Sequence, residues 1–569
     1  MSLNRGTFPP HQQPSGVLAI RPSSEDHEIV SMEVGDQFPD SEHFKDALRN
    51  FSIKRNFNFT FIKNDKQRVT VKCAAEGCEW RVHASMEGNH ETFRIKTMYP
   101  THTCGGGIGT SSHPKASKKW VSARVIQKRK DRPLYRAIDI QRDMLRDHGV
   151  YLSYKQAWLG KEVAKDVLHG SEVASYDLLM WYAKKVLVTN HGSVAIVEND
   201  GSLFKRAFFS FKACVIGFKT GCRPLLYLDG THLLGKYGGT LLGATGKDGN
   251  DGFFHVAFAI IDNETDANWT WFLSKLGDTI YDDDEYVKII TFIPDRSKGL
   301  INAVAKVFPS SPHVYCWRHL EANFMKANVR LGKSLKERCW SILSRIAFSC
   351  AEKEFDDVVA DLLSTSADAH QWLMQKSDLA HWANYMFKGD RWREMYSNVA
   401  ESFNAWIKEA RHLPVTNMVD SIRFKLMGML CHRCEQSQRW ERCLCPVIHR
   451  KIEELLEESR NLLVGRSDGD HSEVVDQKNY CIDETQIFID ISMTTSLMDS
   501  SRASISEAIF PMTDNDKPDD INRELLVRPP ITKKPVGRPR RKLLESQPSS
   551  VRELRCSRCH DAGHNRRSS

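Results

Sequence analysis

The sequence predicts an α/β layered domain continued by a long run of helix (α/β plus α), with a small separate β domain ahead of it. Three observations carry this reading. Between Pro224 and Leu320, apolar runs of strand length alternate with stretches of helical periodicity. From 321 to about 465 the periodicity is almost wholly helical. Ahead of both, four short alternating runs crowd between Phe38 and Cys104, close to paired Cys and His residues.

Bulk properties narrow the class. A chain of 569 residues has room for three or four domains, and 41% apolar content supports at least one sizeable core. No run of 18 apolar residues occurs, so a membrane span is not expected. The opening MSLNRGTFPPHQQPSG lacks the apolar stretch of a secretory signal. Fifteen cysteines without such a signal suggest a reducing compartment, with thiols free or metal-bound. The net charge of +8 is modest, but the basic residues cluster.

The elements follow in order. Residues 1–34 are rich in Pro, Ser and Gln and read as disordered. In the segment 35–104, SEHFKDALRNFSIKR is a helix with Phe44, Leu48 and Phe51 on one face. NFNFTFIK, RVTVKC, WRVHAS and FRIKTM are its four strands. Residues 105–136 read as a linker, Gly/Ser-rich and then basic. Lys115, Lys118, Lys119, Arg124, Lys128, Arg129, Lys130, Arg132 and Arg136 stand there against one acid, Asp131. A solvated surface is one reading of that run, and contact with a nucleic-acid backbone the other. Residues 137–205 read as helical. The α/β layer, 206–320, has strands at PLLYLDG, GTLLGATG, FFHVAFAIID, VKIITFIPD and HVYCW. Helix NWTWFLSKLGDTI precedes the fourth strand and RSKGLINAVAKVF the fifth. Residues 321–395 are a helical insertion, 396–425 return to the layer, 426–465 are helical, and 466–555 are polar and expected to carry little order.

Cys73-x4-Cys78 and His102-x-Cys104 form a four-ligand set. Zinc favours four such ligands in a tetrahedron, and two close pairs beside strand ends supply them. In a domain this small, zinc binding of roughly 10–16 kcal/mol decides whether the fold forms.

Three acids stand out by position. Asp229 ends PLLYLDG, Asp295 ends VKIITFIPD, and Glu401 sits in the helix SNVAESFNAWIKEA, whose apolar side carries Val399, Phe403, Trp406 and Ile407. Acids beside buried apolar strands are electrostatically costly unless compensated. A pair of magnesium or manganese ions, ~3.5–4 Å apart, would compensate them and act on a phosphodiester. An Asp after a strand also marks loops and helix caps, so position alone does not settle the matter.

The wording around these acids is more specific. LDGTHL, GGTLLGATGKDG, NWTWFL, FIPDRSKGL, CWRHL and NVAESFNAWI occur in an order that resembles the Mutator-like (MuDR-type) transposase domain, over residues 150–425. The resemblance implies a ribonuclease-H-like fold with a helical insertion before the last acid. It also implies that Asp229, Asp295 and Glu401 form a DDE triad. Pro294 departs from the small polar residue usual before the second acid. Cys316-x2-His319 matches a pair that recurs at this place in the family. Its readings are a buried thiol with a hydrogen-bonded His, or a group supporting DNA binding or the active site. Trp269 and Trp271 read as helix core. Cys431, Cys434, Cys443, Cys445 and His449 have metal-like spacing but fall in a helical, Leu-rich stretch, so zinc is not expected there.

The segment 35–104 resembles the WRKY/GCM-like zinc domain of MuDR-type transposases and of far-red-impaired-response and MUSTANG-like domesticated transposase proteins of plants. That implies a strand set edge-on in the DNA major groove, with Lys54, Arg55, Lys63, Lys66 and Arg68 as candidate contacts.

The C-terminal region departs from the family. KNYCIDETQ offers only Cys481 where a SWIM-type finger would stand. KKPVGRPRRK, 533–542, holds six basic residues and no acid, and its Gly-Arg-Pro core with Arg538 and Arg540 resembles an AT-hook that lies in a narrow minor groove. It equally suits a nuclear localisation signal. In 556–569, Cys556, Cys559 and His564 open a zinc knuckle whose fourth position is Ser569, a poor ligand, so a weak site is expected. Together these features predict a zinc-dependent binder of double-stranded DNA in the nucleus, with self-association a further expectation. It is a DDE transposase or, in the alternative, a domesticated non-catalytic transcription regulator.

Overall fold

The computed structural model describes residues 32–88, 91–105, 112–282, 286–294, 298–392, 394–396, 398–440, 445–460, 462–466, 472–476, 502, 505–512 and 526–530. The chain divides into two compact units, 1–170 and 171–569.

The first unit opens with β1 (Gln37–Phe38), α1 (Ser41–Lys54), β2 (Phe59–Asn64), β3 (Arg68–Cys73), β4 (Arg81–Met86) and β5 (Phe93–Tyr99). Asp40 starts α1 by accepting the amides of Glu42 and His43 at 2.8 and 2.9 Å. The strands form one antiparallel sheet in the order β1-β5-β4-β3-β2, leaving β2 at an edge. Phe44, Leu48 and Phe51 of α1 pack in one cluster with Val69, Val71, Val82 and Ile95. The period-2 alternation seen in the sequence is therefore what covers one sheet face.

The stretch expected as a basic linker is instead largely helix. Helices α2 (Lys118–Asp131), α3 (Ala137–His148) and α4 (Tyr154–His169) share a second core of Trp120, Val121, Val125, Ile140, Met144, Ala157 and Ala164. Ser117 caps α2, accepting the Trp120 amide at 3.2 Å. Helices α2 and α4 approach so closely that a Cβ on Gly160 would stand 2.5 Å from Val121 Cγ1. Good helix formers and three buried apolar residues outweigh the charge of the run.

The second unit begins with α5 (Glu172–Asp177), α6 (Leu179–Thr189), β6 (Val194–Asp200), β7 (Leu203–Ser210), α7 (Lys212–Gly221), β8 (Leu225–His232), β9 (Thr240–Lys247) and β10 (Phe253–Ile261). It continues with α8 (Asp266–Ile280), β11 (Thr291–Pro294), α9 (Lys298–Val307), α10 (Trp317–Ala327), α11 (Lys333–Phe348), α12 (Glu352–Thr365) and α13 (Ala367–Lys376). Helices α14 (Asn398–Trp406), α15 (Val415–Gln438) and α16 (Pro446–Ser459) precede the hairpin β12 (Leu462–Arg466) and β13 (Ser472–Asp476). The six-stranded sheet has the order β11-β8-β9-β10-β7-β6, antiparallel except for the parallel pair β11 and β8. Strands β9 and β10 are buried along almost their whole length, because helices cover both faces. Gly243 meets Phe403 of α14, while Gly246, on the opposite face, meets Phe218 of α7.

Four expectations change here. Residues 137–205 are not helical throughout: β6 and the first three residues of β7 fall where helix was expected, joined through Asp200 and Gly201 with φ of +58° at the glycine. Of VKIITFIPD, only Thr291–Pro294 form a strand among the described residues. HVYCW makes a single bridge, His313 to Phe292. The N–H groups of Tyr315 and Trp317 go instead to the carbonyls of His381 (2.9 Å) and Met395 (2.7 Å) in the insertion. Finally, the polar tail carries an anchor. Ile505, Ile509 and Val527 are buried in the main core, and the Phe204 amide donates to the Arg528 carbonyl at 2.9 Å.

The insertion helices α10–α13 have a core of their own, built on Trp317, Phe324, Ile342, Leu343, Leu362 and Trp372. No described helix is long and apolar enough to cross a membrane.

Candidate zinc and carboxylate sites

In the first unit, Cys73 at the end of β3, Cys78, His102 and Cys104 converge, their ligand atoms all within 4.8 Å of one another. Cys73 Sγ lies 3.9 Å from Cys104 Sγ, and His102 Nδ1 lies 3.4 Å from Cys78 Sγ and 3.8 Å from Cys104 Sγ. A tetrahedral ion ~2.3 Å from each sulfur puts neighbouring ligands roughly 3.5–3.8 Å apart, so the spacing fits. The His102 ring is fixed by Trp80, stacked at 5.2 Å and 4° from parallel, and by Phe57 at 4.4 Å. Burial pushes the Cys73 thiol up to about 11. Burial pushes Cys78 the same way, but the backbone amides of Trp80 and Cys104 and the neighbouring side chains outweigh it, bringing Cys78 down to about 5. One thiolate is thus ready at neutral pH. Among the described residues, this is the one cluster of three or more Cys, His, Asp or Glu residues with such spacing.

In the second unit, Asp229 lies near the end of β8, with Leu225 and Tyr227 on the same side of the strand. Leu225, Tyr227 and Ile293 of β11 form a small cluster with Val314 and Ala400, and Val399 packs against it. The start of α14 therefore sits on the parallel strand pair. Phe403 and Ile407 of the same helix enter the main core. Asp229 Oδ2 accepts from Asn404 Nδ2 at 2.6 Å, and Oδ1 from the Gly230 amide at 2.8 Å. Arg411 is a positive neighbour. Burial lowers its guanidinium from the usual value while Asp229 acts in the opposite sense. Glu401 is one turn before Asn404, half exposed, and both its oxygens accept from Arg318 Nη1 at 3.0 and 2.9 Å.

Asp295 lies outside the described residues. The residue before it, Pro294, is in register with Leu228, the residue before Asp229. Pro294 is accommodated because Phe292, two residues earlier, turns its N–H outward to Pro312, away from β8. The missing N–H thus falls on the side β8 does not use.

Cys316 is buried just before α10, and His319 lies half-buried in that helix's first turn. No third ligand joins them among the described residues. Trp269 and Trp271 are core residues of α8. Cys431 and Cys434 lie on α15, and Cys445 donates to the Gly249 carbonyl at 2.8 Å. Of the basic run, Lys118, Lys119 and Lys130 are exposed. Lys115 covers the Phe59 ring at 4.1 Å. Lys128 pairs with Asp143 and Asp147 at 2.9 and 2.8 Å, acids that lie outside the basic run. Arg129 is 5% exposed and turned into the α2–α4 layer, unlike a surface contact. Cys443, Cys556, Cys559, His564, Arg538 and Arg540 lie outside the described residues.

Sequence reasoning passed over Asn404 and Arg318. The signals were present: Asn404 is one helical turn from Glu401, and Arg318 stands inside CWRHL.

Residues 29–95 match the family model described as MuDR family transposase, and residues 225–323 match that of the MULE transposase domain. The second match spans Asp229, Cys316 and His319, while Glu401 lies beyond it. No curated protein matches the chain. A DNA-binding module of MuDR type, followed in order by a MULE domain, supports a Mutator-like transposase or a protein derived from one.

Proposed function

We propose that the chain binds double-stranded DNA through a zinc-holding N-terminal domain, residues 35–104. In its second unit it would cut and join DNA strands with Asp229, Asp295 and Glu401. The packing of α14 on the parallel pair β8 and β11 supports this reading: Ala400, next to Glu401, packs with Leu225, Tyr227 and Ile293, and Asn404, one turn on, bonds to Asp229. The antiparallel run β10-β9-β8 followed by parallel β11 supports a ribonuclease-H-like sheet, with α10–α13 as its helical insertion.

An all-oxygen carboxylate set suits magnesium or manganese, and such ions would polarise the scissile phosphate and activate the attacking hydroxyl. The chain's own residues position that set. Asn404 holds one Asp229 oxygen, Gly230 holds the other, and Arg411 tempers the charge. In the first unit, Cys73, Cys78, His102 and Cys104 would hold zinc and tie the end of β3 to the segment after β5. Exposed Lys63, Lys66 and Arg68 on and beside edge strand β2, with Lys118, Lys119 and Lys130 of α2, would meet DNA phosphates. The basic stretch 533–542 would direct the protein to the nucleus.

The test is nicking of supercoiled plasmid by the full chain with Mg²⁺ or Mn²⁺, beside salt-dependent duplex binding by anisotropy. Glu401→Gln and Asp229→Asn should remove nicking and spare binding. Nicking that survives both substitutions sinks the catalytic assignment. Binding without nicking by the unaltered chain favours a domesticated regulator.

A further inference from the structure

We propose that Arg318 is an exchangeable counter-ion for Glu401. It holds the carboxylate until a divalent ion takes it, and is thereby released to engage a phosphodiester. The inference rests on the carboxylate reading above and adds a residue that reading does not use.

Arg318 and Glu401 differ from the shielded ion pairs beside the sheet. Two ion pairs at the end of β9 are shielded and shared. Lys247 and Glu394 are 17% and 16% exposed, and Arg223 also contacts Glu394. Arg433 and Asp248 are 20% and 11% exposed, and Asp248 also accepts the amides of Asn250 and Gly252. Such pairs are locked, because breaking one strands a buried charge. Arg318 and Glu401 are 59% and 50% exposed, and among the described residues their side chains pair only with each other. An exposed pair contributes little stability and is easily exchanged.

The exchange is forced by charge. One guanidinium nitrogen spans both Glu401 oxygens. A divalent ion sits ~2.0–2.1 Å from a carboxylate oxygen. It would stand within about 5 Å of that guanidinium, where like charges repel strongly. Glu401 therefore serves one cation or the other. The displaced side chain, rooted in the first turn of α10, carries a planar donor fork matched to phosphate oxygens. A cation that is sequestered without metal becomes available when metal arrives.

The experiment measures Mn²⁺ binding to the full-length chain by calorimetry. It compares the unaltered protein, Arg318→Gln, Glu401→Gln and the double variant. Removing the competitor should tighten Mn²⁺ binding roughly two- to fivefold. In the Glu401→Gln background the same substitution should change nothing. Arg318→Lys, which keeps the charge and can re-form one bond, should stay near the unaltered protein and guards against a folding defect. Unchanged or weaker binding by Arg318→Gln overturns the proposal. So does an equal gain in the Glu401→Gln background, since that would be a long-range charge effect. If the unaltered chain binds no Mn²⁺, or Asp229→Asn and Glu401→Gln leave binding untouched, the carboxylate site itself falls. For the released guanidinium, a short duplex should bind more weakly to Arg318→Gln only when Mn²⁺ is present. A deficit of equal size without metal contradicts the exchange.

Discussion

The imidazole of His255 on β10 lies face to face with the ring of Phe403 on α14, centroids 3.5 Å apart and planes 6° from parallel. Gly243 makes room for the stack: a Cβ there would come within 3.3 Å of His255 Cε1. The contact fixes α14, and with it Glu401 and Asn404, against the sheet.

Burial pushes His255 down to about 3, so the stacked ring is neutral near pH 7. The unfolded chain takes up that proton near pH 6.5 while the folded one resists it. The folded state is therefore undiminished above pH ~6.5 and loses stability as pH falls from there toward 3. The slope is at most about 1.4 kcal/mol per pH unit from this group. Thermal melts between pH 4 and 7 should show a shallower acid loss for His255→Phe than for the unaltered chain. Equal slopes would mean another group governs the acid response.

Asn404→Ala removes a hydrogen bond from α14 to the Asp229 carboxylate. A cost of about 1.5–3 kcal/mol is expected, read as a lowered melting temperature of the second unit. Asn404→Asp should cost more, since it sets a second negative charge against Asp229. A melting temperature unchanged in both variants would show that the bond does not hold the helix.

Cys78→Ser should abolish stoichiometric zinc and unfold the small sheet domain, which mass spectrometry and near-ultraviolet dichroism of the full chain can follow. Zinc uptake at pH 7 should release protons, that of Cys73 among them, since burial holds this thiol protonated until the ion arrives. Weakly buffered titration of the unaltered chain against Cys73→Ser reads this directly. A full complement of zinc in Cys78→Ser would remove this residue from the ligand set.

Val527→Ala should destabilise the second unit by roughly 2 kcal/mol, since the side chain is wholly buried in the main core. The variant's melt should shift without any change in zinc content. An unshifted melt would mean that the tail contact is dispensable.

Much of this architecture is legible in the sequence because its period is clean. RVTVKC and FFHVAFAIID alternate or run apolar as strands must, and Phe44, Leu48 and Phe51 mark one helix face. Charge misleads where packing decides. The run around Lys128 and Arg129 reads as linker by composition, yet Trp120, Val121 and Val125 bury it as helix α2. The hairpin β6–β7 is missed although Asp200-Gly201 signals it, because the helical stretch before it dominates the window. At the carboxylate site, the acids are marked by strand ends and local wording. The partners that orient them are not, since Asn404 and Arg318 matter only through contacts 175 and 83 residues away in sequence.

The placement of Val527 also has a consequence for synthesis. The first unit is complete once residue 170 has been made, whereas the core of the second lacks a wall until residue 527 emerges. At about 5–20 residues per second, roughly 10–50 s pass between completion of the six-stranded sheet at residue 294 and synthesis of Val527, with part of the core uncovered on the ribosome. The nascent second unit should thus depend on holdase chaperones, and folding that closes over such long sequence separations is intrinsically slow.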